Sequence, residues 1–126
     1  MRVEITQKDQ RQPVMRFVVV ADTHVNESES GGSSPFITNA GANARARYVF
    51  NEIAAMHPAP AFVIHLGDIV HPVPSLPSFQ QAVDHFKNIA APLSMPLHVL
   101  PGNHDVGDKH IDWMPADLIC DEYLAT

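Results

Sequence analysis

Three short apolar runs, rich in β-branched residues, recur along the chain and predict three β-strands. Continuous apolar runs of this length are typical of strands that are covered on both faces of a parallel sheet. They extend from Arg16 to Asp22, from Ala61 to Asp68 and from Pro96 to Gly102. A fourth segment, MRVEITQ (Met1 to Gln7), is a candidate edge strand of the same sheet.

Two segments between these runs have the periodicity of amphipathic helices. The first helix is predicted from about Ala42 to Met56, ending before Pro58, and its apolar face comprises Ala46, Val49, Phe50, Ile53 and Ala54. Ser78 is predicted to cap the second helix, whose apolar face comprises Phe79, Ala82, Val83, Phe86 and Ile89. A third helix is predicted to begin near Pro115 or Ala116.

This alternation predicts one α/β domain over residues 1–126, with a parallel sheet and right-handed crossovers. The C-terminal ends of all three strands then lie at one edge of the sheet, where open α/β folds place their ligand sites. The polar segment from Asn26 to Pro35 leaves this edge and is predicted to be a mobile loop. Its place beside the first strand end is also compatible with a role as a lid.

Each predicted strand ends in residues that can bind metal ions. The three groups are Asp22-Thr23-His24, then Gly67-Asp68, and then Gly102-Asn103-His104-Asp105. Carboxylate, imidazole and amide ligands suit zinc, iron and manganese, and a shared carboxylate can hold two ions about 3.5–4 Å apart. One such pair is a weak signal, but three groups at successive strand ends indicate a metal site.

Composition narrows the choice of partners and compartment. The net charge of −6 argues against a protein that mainly coats nucleic acid or an anionic membrane. The N-terminal segment lacks an apolar signal sequence, and no apolar run is long enough to span a membrane. The single cysteine, Cys120, cannot form an internal disulfide and is expected to be a small buried residue. A cytoplasmic protein is therefore expected.

The same strand-end residues resemble the first three motifs of the calcineurin-like metallophosphoesterases. The resemblance covers Phe17 to Asp105 and extends into VGDKHIDWMPADLICDEYL (Val106 to Leu124). That tail is similar to the branch containing cyclic-nucleotide phosphodiesterase-like and purple-acid-phosphatase-like enzymes. The resemblance implies metal-dependent hydrolysis of phosphate mono- or diesters, a nucleotide being one candidate substrate.

The resemblance also implies a role for each residue. Asp22 and His24 would hold a first metal ion, Asp68 would bridge two ions, and Asn103 would hold the second through its amide oxygen. A hydroxide between the ions would attack phosphorus. The implied catalytic residues are His104, which would protonate the leaving alkoxide, and Asp105, which would orient the ring of His104.

The chain departs from the family pattern after the third motif. The family's later lone histidine and its Gly-His-x-His motif have no counterpart before Thr126. We therefore expect about half of the family's α/β/β/α sandwich, an incomplete domain, and one metal ion or none instead of two. A sheet face would be left uncovered, which favours association.

Three situations would account for this departure: a truncated product, a short protein that dimerises over the uncovered face, or a site completed by another chain. The alternative to an enzyme is a catalytically incompetent remnant that acts as an oligomerising or interaction module.

The remaining histidines are expected to be structural. His65 and His98 are predicted to be buried within strands, whereas His57 and His85 are predicted to lie on the surface. His71 could line a substrate cleft, but an exposed loop residue before Pro72 is the interpretation that the sequence favours.

Overall fold

The computed structural model describes residues 15–107. The predicted edge strand at Met1 to Gln7, the predicted third helix near Pro115 and the predicted environment of Cys120 lie outside these residues. The described elements in chain order are β1 (Val18–Val20), a 3₁₀ helix (Ile37–Gly41), α1 (Ala42–Ala54), β2 (Val63–His65), α2 (Phe79–Ala90), β3 (Leu97–Val99) and the single-turn α3 (Asn103–Val106).

The three strands form one parallel sheet in the order β1-β2-β3. Val18 pairs with Val63, which pairs in turn with Leu97. Because both crossovers run in the same direction along the sheet, α1 and α2 lie on the same face and contact each other. This arrangement confirms the predicted α/β class with a parallel sheet and flanking helices, and it is consistent with the partial sandwich that the resemblance implies.

The core lies between the sheet and the two helices. Phe50 of α1 meets Phe86 of α2 edge to face, with ring centroids 5.6 Å apart. The predicted apolar face of α2 is confirmed, since four of its members are buried and Val83 is partly buried. Two expectations fail here. Val49 of α1 is 40% exposed, and Ser78, although it precedes α2, makes no side-chain capping hydrogen bond.

The opposite face of the sheet is not covered by any described residue. Phe17, Val19, Leu66 and Leu100 are each about half exposed on this face. The prediction that His98 is buried is wrong, because the strand register places His98 beside Ile64 on this same face, away from the helices. Within residues 15–107, no helix is long and apolar enough to cross a membrane.

The loop after β1 is fixed at its start, in contrast to the mobile segment that its composition predicts. Asn26 and Asn43 are both buried. The side-chain oxygen of Asn43 accepts a hydrogen bond from the backbone N–H of Asn26, and the Asn26 side chain donates to the carbonyl of Asn39. Buried amides of this kind need such partners, so the loop start is bound to the N-terminus of α1.

Candidate metal centre

The turns that follow β1 and β2 are joined by backbone hydrogen bonds beyond the ends of the strands. The Asp22 N–H donates to the carbonyl of Gly67, and the His24 N–H donates to the carbonyl of Asp68, each over 3.0 Å. Pairing then resumes where Val25 bridges Val70. The Asp-x-His turn and the Gly-Asp turn are therefore held side by side at the C-terminal edge of the sheet.

Three residues in these turns have backbone conformations that side chains rarely adopt. Among residues 15–107, the non-glycine residues with positive φ are Asp22 (55°), His24 (43°) and Asp68 (52°). Such conformations cost about 1–3 kcal/mol each and concentrate at functional sites. All three of these residues belong to the ligand set predicted from sequence. This coincidence is unexpected for ordinary solvated strand ends.

The side chains of the same three residues converge. His24 Nε2 lies 3.7 Å from Asp68 Oδ2 and 3.9 Å from Asp22 Oδ1. One ligand atom from each residue lies within 4.8 Å of the others. Zinc bonds of about 2.0–2.2 Å require ligand atoms roughly 3–4 Å apart, and two carboxylates with one imidazole are suitable donors. The residues therefore fit a divalent metal ion.

The third strand end is packed against the second through two glycines. A Cβ atom on Gly67 would overlap the backbone of Gly102, and a Cβ atom on Gly102 would overlap the backbone nitrogen and side chain of Asp68. This close approach lets the His104 N–H donate to Asp68 Oδ1 over 2.9 Å. Asn103 begins α3 directly between these contacts. The glycines thus bring the third motif against the second.

Asp105 makes different contacts from those predicted. Its buried carboxylate accepts hydrogen bonds from the backbone N–H groups of Ile69, Val70 and Gly102. Burial raises the pKa of this carboxyl, whereas the three N–H donors act in the opposite direction. Asp105 was expected to orient the ring of His104 through a ring N–H. In the structure the Nδ1 of His104 is bound instead by the backbone carbonyl of His71. Asp105 therefore joins the second and third strand ends.

A second group at this edge consists of His24, His71 and His104. One ring nitrogen from each lies within 4.8 Å of the others, and the ring centroids of His71 and His104 are 4.9 Å apart. The interpretation of His71 as an exposed loop residue is wrong. Its backbone N–H donates to Val25 and its side chain is only partly exposed. Its spacing three residues after Asp68 was the signal in the sequence.

The tautomer of His104 follows from its partner. His104 Nδ1 lies 2.6 Å from the carbonyl oxygen of His71. A carbonyl can only accept, so Nδ1 carries the proton. In the neutral ring the lone pair is then on Nε2.

His65 and Thr23 form hydrogen bonds that connect the Asp-x-His turn to the Gly-Asp turn. Thr23 Oγ1 lies 2.9 Å from His65 Nε2 and donates to the carbonyl of Ile69 over 2.8 Å. His65 Nδ1 accepts from the Gly67 N–H, so the proton is on Nε2. His65 is fully buried, as predicted, and burial lowers its pKa to about 4. A neutral imidazole therefore joins the two turns.

An open cavity of about 350 Å³ lies beside the metal group. Asp22 and His24 form one wall, and Arg45 of α1 forms part of another. The Arg45 guanidinium donates to the carbonyl of Thr38 and is exposed. By contrast, Arg47 on the same helix is paired with Glu29 at 2.7 Å.

The fold and this edge together describe an α/β protein with a candidate metal site at the C-terminal end of its parallel sheet. The family model described as calcineurin-like phosphoesterase matches residues 15–123, which is most of the chain. The chain therefore belongs to the calcineurin-like phosphoesterase family. A search of curated proteins found no match.

Proposed function

We propose that this protein hydrolyses phosphate mono- or diesters with the help of divalent metal ions. The observation that carries the proposal is the convergence of Asp22, His24 and Asp68 at one edge of the sheet. Membership of the calcineurin-like phosphoesterase family supports the reaction class. Manganese, iron and zinc all suit this donor set.

The chain's own residues would divide the work of binding. Asp22 and His24 would hold one ion, Asp68 would contribute to both ion positions, and the amide oxygen of Asn103 would serve the second. When bound, such ions neutralise the ester's charge and lower the pKa of a bound water to about 7. Asp68 is the least exposed of the three convergent side chains, with 15% of its surface accessible, as expected for a shared ligand.

His104 would act on the leaving group. Its Nδ1–H is engaged with the carbonyl of His71, so a protonated ring would present the Nε2–H to the leaving oxygen. General acid catalysis of this kind contributes typically 10²–10⁴-fold. Asp105 would be a positioning residue, because it fixes the backbone on both sides of the cleft rather than touching the ring.

The organic part of the ester would occupy the cavity beside Asp22. Arg45 lies in its wall and would favour substrates with a second anionic group, such as nucleotides. We also propose that the chain belongs to the branch of cyclic-nucleotide phosphodiesterase-like or purple-acid-phosphatase-like enzymes, which the sequence from Val106 to Leu124 supports.

The test is hydrolysis of p-nitrophenyl phosphate and bis-p-nitrophenyl phosphate by the full chain with added Mn²⁺. Asp68→Asn should abolish turnover, and His104→Asn should lower kcat by about 10²-fold or more. Asp84→Asn is the matched control, because Asp84 is an exposed residue of α2 whose carboxylate accepts a hydrogen bond from the Gln80 side chain on the same helix. It should leave the rate unchanged.

Two results would contradict the proposal. One is equal turnover by the wild-type chain and Asp68→Asn. The other is the absence of turnover in a folded wild-type chain with bound metal. The second result would favour the non-catalytic interaction module as the function of this chain.

A further inference from the structure

The three-histidine group is a candidate metal site of different chemistry from the carboxylate group beside it. His24, His71 and His104 offer imidazole nitrogens alone, whereas Asp22 and Asp68 offer carboxylates. Imidazole ligands suit zinc, copper and nickel, whereas carboxylate ligands add affinity for harder ions such as manganese and magnesium. The two groups share His24, so they do not act independently.

The geometry needs only small movements to close around an ion. The three nitrogens lie within 4.8 Å of one another, and tetrahedral zinc with Zn–N bonds of about 2.0–2.1 Å requires separations of roughly 3.3 Å. His71 lies in the loop after β2 and His104 lies in the single-turn α3, so the three rings come from the segments that follow the strand ends. A fourth ligand from water would complete the set, as in three-histidine catalytic zinc sites.

The orientation of His104 favours this role. The carbonyl of His71 accepts the Nδ1–H of His104, which leaves the Nε2 lone pair for an ion. A backbone carbonyl that fixes the tautomer of a ligating histidine is the usual arrangement around protein metal ions. Here the carbonyl belongs to His71, which is itself a member of the three-histidine group. His71 would therefore contribute its own ring as a ligand and orient the ring of His104 through its backbone.

The position of His71 depends on the parallel bridge between the first two strand ends. Its N–H donates to the carbonyl of Val25 over 2.9 Å, and its ring centroid lies 5.6 Å from that of His24. The rings of His24 and His104 meet edge to face, with centroids 4.8 Å apart. Three strand ends thus contribute one imidazole each.

We propose that His24, His71 and His104 form a second metal site, selective for late transition ions such as Zn²⁺, that competes with the carboxylate site for His24. An ion held there would occupy Nε2 of His104. Binding at this site is independent of hydrolysis. Its consequence, inhibition of turnover by Zn²⁺, rests on the proposed function.

The test is Zn²⁺ binding by equilibrium dialysis and the visible spectrum of bound Co²⁺, measured on the full chain. His71→Ala should weaken Zn²⁺ binding by about tenfold or more. Removing a residue that only hydrogen-bonds to a metal ligand typically costs about 10–100-fold in metal affinity, and loss of a ligand should cost at least as much. It should also remove the intense Co²⁺ absorption of a four-coordinate site. Asp22→Asn should retain that absorption, because Asp22 belongs only to the carboxylate group.

His98→Ala is the matched control, since it removes one imidazole from the far face of the sheet and should leave both readouts unchanged. His71→Gln provides a second variant, and circular dichroism establishes that each variant is folded. Equal Zn²⁺ affinity in the wild type, His71→Ala and His71→Gln would overturn the inference. So would a Co²⁺ spectrum that Asp22→Asn abolishes and His71→Ala does not.

The outcomes separate this inference from the proposed function. Loss of Zn²⁺ binding in His71→Ala, without any phosphoester hydrolysis by the wild type, would support the site and contradict the function. Mn²⁺-dependent hydrolysis by the wild type, with Zn²⁺ binding unaffected by His71→Ala, would support the proposed function and contradict the three-histidine site. If both the proposed hydrolysis and the three-histidine site are correct, Zn²⁺ should inhibit the Mn²⁺-loaded wild type at concentrations about tenfold below those that inhibit Mn²⁺-loaded His71→Gln. Each rate is normalised to the same protein's rate without Zn²⁺.

Discussion

The backbone N–H of His104 donates to Oδ1 of Asp68 over 2.9 Å. This hydrogen bond connects the proposed general acid to the proposed shared metal ligand across two strand ends. Asp68 Oδ2, the other oxygen, faces His24. One carboxylate thus fixes the third motif with one oxygen and presents the second to the metal position. The contact requires the close approach of Gly67 and Gly102.

Gly102→Ala should therefore disrupt the site through steric overlap. The added Cβ would meet the backbone nitrogen of Asp68, which cannot rotate away, and overpacking of this kind costs about 1–3 kcal/mol. Urea unfolding measures the change, and Mn²⁺ affinity should fall with it. In Gly41→Ala the new Cβ meets only the flexible end of Arg45, so a loss below about 1 kcal/mol is expected. Equal stability of Gly102→Ala and the wild type would refute the overlap.

Asp105→Ala should lower the free energy of unfolding by about 2–5 kcal/mol. The substitution leaves the backbone N–H groups of Ile69, Val70 and Gly102 without this acceptor, and each buried donor left unsatisfied costs about 1–3 kcal/mol. Chemical denaturation measures the loss. Asp84→Ala, on the exposed side of α2, should change stability by no more than about 0.5 kcal/mol. Similar values for both variants would show that Asp105 does not join the strand ends.

Stability should decrease as pH falls below about 6.5, partly because of His65. Its pKa is lowered from 6.5 to about 4 in the folded chain. The unfolded chain therefore takes up a proton that the folded chain resists, so the stability contributed at neutral pH is lost as pH falls through this window. The full effect is of order 3 kcal/mol.

His65→Gln isolates this contribution. The raised pKa of Asp105 acts in the opposite direction, but it is common to both proteins and cancels in the difference. Unfolding measured by urea at intervals between pH 7 and pH 4.5 should give a shallower dependence for His65→Gln. Parallel curves for the two proteins would contradict the assignment of a neutral buried imidazole.

Arg45→Ala should raise KM for nucleotide substrates by about tenfold and leave kcat within a few-fold, because Arg45 lies in the cavity wall and not among the convergent ligands. A charged hydrogen bond to an anion is worth about 1.5–3 kcal/mol. Arg47→Ala is the control on the same helix, since Arg47 pairs with Glu29. Substrates without a second anionic group should show no difference. A large fall in kcat would place Arg45 at the reacting phosphate instead.

The sequence was sufficient to predict the order of the three strands and of α1 and α2, and the edge that carries the site. Apolar runs and helical periodicity depend on local spacing, and parallel strands necessarily bring their C-terminal ends together. α1 was predicted from Ala42, where it begins. The group of Asp22, His24 and Asp68 follows from that topology alone.

Features that depend on contacts between distant segments were not predictable. His98 was assigned to the interior because its run is apolar, but only the register shows which face it occupies. Two of the three backbone partners of Asp105 lie 35 and 36 residues away in sequence. The place of His71 beside His24 depends on the bridge between Val25 and Val70, which has no signature in composition.

The central claim is that Asp22, His24 and Asp68 hold one divalent cation together, and Mn²⁺ binding followed by electron paramagnetic resonance tests it most directly. The wild-type full chain should bind Mn²⁺, Asp68→Asn and Asp22→Asn should each weaken binding by about tenfold or more, and Asp84→Asn should not. Wild-type affinity retained in both Asp22→Asn and Asp68→Asn, with the variants folded, would contradict the account.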